Sequence, residues 1–159
     1  TAQNILRTGK CALNFLEDDR ADFKETVRLG FPGETYEEFR ETVSLVEEAK
    51  FTSMYTFIFS SREGTVASKM PDPVSREEKG KWFKELLDAQ EKIAAVRTAS
   101  MVGKTYRVLC ESVSKNGLIE GRTEGNIIIE FPADQSAIGS FREVTVTESL
   151  TWILRGELN

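Results

Sequence analysis

Residues 30–39 read GFPGETYEEF, two glycines and a proline placed directly before a helix start that is rich in carboxylates. Thr35 and Glu38 have the spacing of a capping box, in which each side chain accepts a hydrogen bond from the backbone of the other residue. The apolar residues that follow recur at helical spacing: Phe39, Val43 and Val46. The pattern predicts a tight turn followed by a helix over residues 36–50.

The segments on either side of this turn predict a β-α-β unit. Residues 26–29 can form a short strand before the turn, and the apolar run SMYTFIFS at 53–60 predicts a strand covered on both faces, as in a parallel sheet. A second capping box, at Ser75 and Glu78, opens a long helix predicted over 76–100. About two strands are few for a sheet domain, which usually holds ~4–6, so this α/β part is typical of a fragment.

After residue 101 the apolar period changes from helical to alternating. Five short candidate strands in under sixty residues predict a small antiparallel barrel of the OB type: 105–112, 118–122, 126–131, 141–147 and 151–157. The expected fold is therefore α/β followed by all-β. We expect three parts: an unplaced amino-terminal segment over 1–25, an α/β part over 26–100 and a barrel over 101–159. The apolar residues of the amino-terminal segment have a loosely helical spacing.

Composition excludes several kinds of chemistry. The chain has 159 residues, a net charge of −5, no histidine and two cysteines, Cys11 and Cys110. Without histidine there is no Ser–His or Cys–His catalysis and no common zinc site. The two distant cysteines are expected to be free thiols that serve packing. No apolar run reaches the ~20 residues of a membrane span, so we expect a cytoplasmic protein with no membrane partner.

The stretch GFPGET has two interpretations on its own. It is either an ordinary strand-to-helix turn, in which glycines supply positive φ, or a backbone that a ligand approaches at the carboxyl end of a parallel strand. Glu34 disfavours phosphate there and favours a neutral or cationic group, such as a ribose hydroxyl or an amine. The loop SREGT at 61–65 follows the next strand end, so it is either part of the same ligand rim or a surface loop.

In the predicted barrel, six basic residues stand among eight acidic ones. A mixed, solvated surface is the simplest interpretation, and RNA binding requires that the basic residues cluster on one face. Phe141 and Trp152 fit either stacking on bases or packing in the core. The acidic net charge speaks against a nucleic-acid partner.

Taken together, four stretches closely resemble the carboxyl-terminal portion of the radical-SAM tRNA methylthiotransferases: GFPGETYEEF, FIFSSREGTVASKMPDPV, GRTEGN and TWILRGEL. The resemblance covers roughly residues 29–159. The tail resembles the branch that makes 2-methylthio-N6-isopentenyladenosine beside the tRNA anticodon. The resemblance implies that residues 26–100 end a radical-SAM (β/α) barrel and that residues 101–159 form a TRAM domain that binds the anticodon stem-loop of tRNA.

The resemblance also implies cofactors and contact residues. Enzymes of this family use S-adenosylmethionine and two 4Fe-4S clusters, one of them held by a CxxxCxxC motif that is absent here. Gly30 and Glu34 match the turn that lies against the adenosyl group of the cofactor. The basic residues expected to contact tRNA are Lys104, Arg122, Arg142 and Arg155. Because two distant cysteines cannot replace the three thiolates of that motif, we expect this chain alone to hold no cofactor and to be inactive.

Some residues depart from the family pattern and keep other functions open. Arg28 stands in a strand that is usually continuously apolar, where a charge is unfavourable if both faces are buried. One alternative is a non-catalytic, stand-alone RNA-binding module. Another is a protein-interaction domain that uses an open edge of the small barrel. Self-association of the incomplete larger barrel is a further expectation.

Overall fold

The computed structural model describes residues 12–14, 24–51 and 53–159, with side chains from Val27 onward. Most of the unplaced segment, including Cys11, lies outside the described residues. The chain divides into two compact units, up to Ile93 and from Ala94 on. Within the described residues, no helix is both long and apolar enough to cross a membrane.

Among its described residues, the first unit contains a three-stranded sheet, one α-helix and most of a second α-helix, whose last residues, 94–99, belong to the second unit. Its elements are β1 (Ala12–Asn14), β2 (Lys24–Leu29), α1 (Tyr36–Ala49), β3 (Ser53–Ile58) and α2 (Arg76–Ala99). The sheet order is β1-β2-β3, with β1 antiparallel and β3 parallel to β2. The predicted β-α-β unit is confirmed. The helical interpretation of the amino-terminal segment is wrong at Ala12–Asn14, which pairs as a strand with β2.

The two predicted helix starts differ in their capping. Thr35 accepts a hydrogen bond from the Glu38 amide, and the Glu38 carboxylate accepts one from the Thr35 amide at 2.8 Å, so the box at α1 is complete. At α2, Ser75 accepts from the Glu78 amide at 3.1 Å. The Glu78 carboxylate instead pairs with Lys81, one turn along the helix, so the second predicted box is only half formed.

The two faces of the sheet are unequal. Val27 and Leu29 of β2 are fully buried and pack with apolar residues of both helices: Phe39, Val43, Val46, Trp82 and Leu86. The opposite face exposes Arg28, together with Tyr55 and Phe57, whose exposed fractions are 52% and 51%. The prediction that β3 is covered on both faces is therefore wrong. The helices cover one face, and Arg28 points to the other.

The second unit is a closed five-stranded barrel. Its strands are β4 (Thr105–Val113), β5 (Ile119–Thr123), β6 (Ile128–Phe131), β7 (Phe141–Ser149) and β8 (Ile153–Leu158), in the order β4-β5-β6-β8-β7. The pair β6–β8 is parallel, so the barrel is mixed and the all-antiparallel prediction is wrong. Closure pairs every strand within residues 105–158 on both sides, which removes the open edge that the protein-interaction alternative requires.

Two glycines let the strands of the barrel approach closely. A Cβ on Gly121 would lie 2.5 Å from the Leu109 carbonyl oxygen, and one on Gly156 would lie 2.7 Å from the Thr145 carbonyl oxygen. These glycines belong to the stretches GRTEGN and TWILRGEL. The barrel interior is filled by apolar side chains, of which the following are fully buried: Val108, Ile119, Ile129, Phe131, Val144 and Leu154.

Candidate functional site

The turn that follows β2 is held by the carboxylate of Glu34. Gly30 and Gly33 adopt φ of 74° and 83°, a left-handed conformation that favours glycine. Glu34 Oε2 accepts hydrogen bonds from the amides of Gly30 at 2.5 Å and Phe31 at 3.0 Å. The residue is 3% exposed, and this burial raises the pKa of its carboxyl while the two amide donors oppose the shift. Glu34 therefore directs its carboxylate into the turn.

Lys79 of α2 covers the same turn. A Cβ on Gly30 would lie 2.7 Å from Lys79 Cδ and 3.1 Å from its Cγ, so the lysine stem occupies the space beside the glycine. Lys79 is 5% exposed, and its Nζ lies 2.5 Å from Asp72 Oδ2 in the loop before α2. Sequence reasoning missed Lys79. Its burial could have been predicted from helical spacing. Lys79 precedes Trp82 by three residues and Leu86 by seven, which places it on the buried face of α2.

A cavity of about 480 Å³ lies beside the end of β3. Its described lining residues come from β2, β3 and the following loop: Arg28, Phe57, Ile58, Phe59, Ser60, Arg62, Thr65 and Ala67. The loop SREGT thus contributes Arg62 and Thr65 to the cavity, whereas Gly30 and Glu34 are not among these residues. The two loops that the sequence assigned to one ligand rim are therefore not brought together around this cavity.

The described residues include no group of three or more His, Cys, Asp or Glu side chains arranged as metal ligands. Cys110, a free thiol, is buried among the apolar side chains of the barrel, as predicted for a packing residue. Burial raises the pKa of its thiol, which disfavours the thiolate that a cluster requires. These residues therefore do not fit an iron–sulfur cluster.

The four basic residues predicted to contact RNA lie at different places on the barrel. Arg122 of β5 is hydrogen-bonded to Glu111 and Asn126, at 2.9 Å in each case. Arg155 of β8 lies 3.7 Å from Glu148. Arg142 is exposed near the start of β7, and its guanidinium donates to the Phe141 carbonyl. Lys104 is exposed just before β4, where its carbonyl accepts from the Val146 amide.

The strand register places one of these four residues, Arg122, in a row with Phe141. Leu109 of β4 is paired with Arg122 on one side and with Phe141 on the other, so these three residues form one row across β5, β4 and β7. Arg142 directly follows Phe141 on β7 and pairs in register with Val108, so its position has the opposite parity to that of Phe141. Lys104 lies at the opposite end of the β4–β7 pair, and Arg155 is paired in register with Glu130 and Glu148.

Arg107 and Phe141 form a contact that the sequence reasoning missed. Arg107 Cζ lies 4.1 Å from the centroid of the Phe141 ring, within the range of a cation–π interaction. Phe141 is 49% exposed, as is Trp152, so neither aromatic residue is in the core. The exposure of Phe141 could have been predicted from alternation along the strand. Since Val144 and Val146 face inward, a residue at position 141 faces outward.

The described barrel coincides with a known domain family. Residues 99–158 match the TRAM domain. The barrel is a TRAM domain. The chain is 42% identical, over 132 residues, to a tRNA-2-methylthio-N(6)-dimethylallyladenosine synthase of Symbiobacterium thermophilum, an alignment that covers 82% of this chain and 28% of the relative. A synthase of the same name from Geobacter sulfurreducens is 44% identical over 131 residues, covering 82% and 29%.

The chain is homologous to the carboxyl-terminal part of these synthases. It spans less than a third of the length of the relatives it matches. The alignment is longer than the TRAM domain, so the homology includes part of the α/β unit as well. The TRAM match begins at residue 99 and the second compact unit at Ala94, while the boundary at residue 101 stays a prediction.

Proposed function

We propose that this chain is the carboxyl-terminal portion of a tRNA methylthiotransferase that adds a 2-methylthio group to N6-isopentenyladenosine next to the anticodon. The homology to the named synthases, which runs through the TRAM domain and beyond it, supports this assignment. In this proposal the TRAM domain binds tRNA, the chemistry belongs to the remainder of the enzyme, and the protein acts in the cytoplasm. A stand-alone RNA-binding module is the second candidate, favoured by the lack of cluster ligands among the described residues.

The RNA contact is assigned to the surface around Phe141. We define the basic–aromatic patch as Arg107, Leu109, Arg122 and Phe141, which share the outward parity, together with the exposed Arg142 that follows Phe141 on β7. The observation that carries the proposal is the half-exposed Phe141 ring with the Arg107 guanidinium 4.1 Å from its centroid. An exposed ring stacks on an unpaired base, and guanidinium groups contact the phosphates on either side.

The acidic net charge of the chain is compatible with this interface because the arginines of the barrel differ in how far nearby carboxylates neutralise them. Arg142 forms no ion pair with a described acidic residue, whereas Arg122 shares its charge with Glu111 and Arg155 with Glu148. Arg142 is therefore expected to contribute more to the salt dependence of RNA binding than Arg155. Lys104 and Arg155 stay predicted contacts outside the patch.

The residues around the glycine turn hold the shape of the turn and are given no step of the reaction in this proposal. The Glu34 carboxylate is engaged by two backbone amides, and the Lys79 stem covers Gly30. Contact between S-adenosylmethionine and either Gly30 or Glu34 stays a prediction. When bound in the complete enzyme, the cofactor supplies the methyl group and the radical chemistry. This chain contributes a turn of fixed shape to that enzyme.

A chimaera tests the enzymatic assignment. Residues 29–159 replace the homologous segment of the Geobacter sulfurreducens synthase, and methylthiolation of tRNA carrying N6-isopentenyladenosine is measured by mass spectrometry of the nucleosides. We expect the chimaera to be active. A folded chimaera that retains its clusters and binds tRNA but is inactive would overturn the enzymatic assignment and favour the stand-alone module. The unmodified synthase and one lacking the segment are the controls.

A further inference from the structure

Arg122 of the basic–aromatic patch is held in one orientation by two side chains from different parts of the barrel. Its Nε donates to Glu111 Oε2 and its Nη1 donates to Asn126 Oδ1, at 2.9 Å in each case. We call these three residues the Arg122 cluster. A guanidinium has five N–H groups, so the two bonds leave three donors available. The side chains of Arg122 and Glu111 are 31% and 36% exposed, so a ligand can reach the pair from solvent.

Local backbone geometry fixes both partners of the arginine. Glu111 is the extra residue of a β-bulge, because the pairing of β4 with β5 passes from Cys110 directly to Ser112. Asn126 has a φ of 57°, a left-handed conformation that asparagine tolerates. Its amide donates to the Thr123 carbonyl at 2.9 Å, which closes the turn between β5 and β6. The cluster is therefore positioned before any ligand binds.

The cluster is a poorer phosphate site than the other guanidiniums of the patch. The Glu111 carboxylate neutralises part of the Arg122 charge and repels an anion that approaches it. Arg142 forms no ion pair with a described acidic residue, and the Arg107 guanidinium lies over the Phe141 ring. Phosphate contact is therefore expected mainly at Arg107 and Arg142, and the Arg122 cluster is left for a different chemical group.

The free polar atoms of the cluster include both donors and an acceptor. No described residue is hydrogen-bonded to Glu111 Oε1 or to Asn126 Nδ2. Guanidinium N–H groups are thus presented beside a free carboxylate oxygen. A phosphate group offers oxygen acceptors, whereas the Watson–Crick edge of a nucleobase offers acceptors and donors together. The lactam edge of guanine and uracil, a carbonyl next to a ring N–H, has the complementary pattern, and adenine and cytosine lack it.

We propose that the Arg122 cluster binds the lactam edge of one guanine or uracil in single-stranded RNA. Arg122 donates to the base carbonyl, and Glu111 Oε1 accepts from the adjacent ring N–H. This inference rests on the proposed RNA binding by the TRAM domain and adds the chemical class of a recognised base. Leu109 separates Arg122 from Phe141 in the register, two strand spacings or about 10 Å, so the recognised base and the base stacked on Phe141 are different nucleotides.

Fluorescence anisotropy titrations of the whole chain with labelled oligoribonucleotides test this assignment. The probes are short oligoadenylates whose central nucleotide is A, C, G or U. We expect the tighter of the G and U probes to bind about tenfold more tightly than the A and C probes, the size of one bidentate base contact, and it identifies the base. A probe with a central N3-methyluridine keeps the carbonyls but lacks the ring N–H, and it should bind no better than the A probe.

Two variants assign the base preference to the cluster. Arg122→Lys keeps the positive charge but loses the planar set of donors. Glu111→Gln keeps the size of the side chain but can place an NH2 donor where the free carboxylate oxygen was. Both variants are expected to bind the four probes with nearly equal affinity. Glu148→Gln is the matched control, because it also removes the carboxylate partner of a barrel arginine, Arg155, and it should retain the preference. Thermal unfolding checks that each variant is folded.

The outcomes distinguish this inference from the proposed function. Equal binding of all four probes by the wild type would overturn base recognition and leave RNA binding intact. A preference that persists in both variants would assign the recognition to other residues, so the inference would be wrong. If Glu111→Gln strengthens the binding of every probe by the same factor, Arg122 contacts phosphate and not a base. If no probe binds, RNA binding by the TRAM domain is overturned together with this inference.

Discussion

The α-carbon of Gly30 lies against the stem of Lys79, so that a Cβ added to the glycine would be 2.7 Å from Lys79 Cδ. The turn after β2 is thus packed from one side by α2 and hydrogen-bonded from the other by the Glu34 carboxylate. The Lys79 ammonium group forms an ion pair with the Asp72 carboxylate, and this pair links the turn to the loop before α2. The glycine is required by this packing and by its positive φ, without any ligand.

Gly30→Ala is expected to destabilise the chain more than Gly33→Ala. Both glycines have positive φ, which costs an L-residue about 1–2 kcal/mol. Only Gly30 has a neighbour within 4 Å of the added Cβ, so the difference between the two variants measures the contact with Lys79. Chemical denaturation checks this, with the helical Gly80→Ala as a control in open space that should not destabilise. Equal losses at positions 30 and 33 would contradict the packing role of Lys79.

Substitutions of Glu34 separate its hydrogen bonds from its charge. Glu34→Ala leaves the buried amides of the turn without an acceptor and is expected to cost about 1–3 kcal/mol. Glu34→Gln keeps a carbonyl oxygen as acceptor and should cost less at neutral pH. Urea denaturation of both variants at pH 7 measures the two losses. A glutamine variant as unstable as the alanine variant would show that the charge of the carboxylate, and not its acceptor oxygen, holds the turn.

The pH dependence of stability tests the raised pKa of Glu34. Burial lifts the pKa of this carboxyl above its ordinary value of 4.5, so between 4.5 and the raised pKa the folded state binds more protons than the unfolded state. The free energy of unfolding then falls as pH rises through this window. The wild type should therefore lose stability relative to Glu34→Gln as the pH rises from 4.5 through the raised pKa. A relative gain over the same interval would mean that the amide donors outweigh burial.

Local signals predicted much of the fold. The start of α1 was predicted correctly from Thr35 and Glu38, because the hydrogen bonds of a capping box join residues only three positions apart. The alternation of apolar residues located all five strands of the barrel to within a few residues. Neither signal carries information on which strands pair, so the parallel contact between β6 and β8 was missed.

The candidate site was harder to predict because its contacts are distant in sequence. Lys79 meets Gly30 across 49 positions of the chain, and Arg107 meets Phe141 across 34. No local pattern predicts either contact. The exposed face of β3 was missed for a related reason: apolar residues at Tyr55 and Phe57 predict burial, and the sequence does not reveal that no described element covers them.

Gly121 and Gly156 are expected to be essential for the closed barrel. An alanine at either position would place its Cβ within 2.7 Å of a backbone carbonyl oxygen on the neighbouring strand, which cannot move without breaking the pairing of β4 or β7. Overpacking of this kind typically costs about 1–3 kcal/mol, and we expect values at or above the upper end. Thermal unfolding measures the loss, with the exposed Ser112→Ala of β4 as control. Near-wild-type stability in both glycine variants would contradict the register.

Cys110 is expected to react slowly with thiol reagents. It is 1% exposed, and burial raises the pKa of its thiol, so both access and thiolate fraction are low in the folded state. In a Cys11→Ser background, which leaves one thiol, reaction with Ellman's reagent at pH 8 should be about 100-fold slower than in the unfolded chain, because it requires local opening. Reaction at the unfolded rate would show that the barrel around Cys110 opens readily.

The basic–aromatic patch predicts different effects for its ring and its charges. Phe141→Ala removes the stacking surface and should weaken binding to an anticodon stem-loop RNA about tenfold, the typical loss for one stacked base. It should leave the salt dependence unchanged, since the number of phosphate contacts is the same. Arg142→Gln should weaken binding and lower the slope of log K against log salt concentration by about 1.

Two comparisons distinguish the patch from a diffuse electrostatic surface. Trp152 is as exposed as Phe141 but has no described arginine above its ring, and it lies in the turn between β7 and β8 outside the patch. Trp152→Ala is therefore expected to retain RNA binding, and Arg155→Gln to change the salt slope less than Arg142→Gln, because Glu148 already neutralises part of the Arg155 charge. Filter-binding titrations at several salt concentrations measure all four variants. If Trp152→Ala abolishes binding while Phe141→Ala does not, the RNA lies at the β7–β8 turn, since the loss of one stacked base costs about 1–3 kcal/mol of binding free energy.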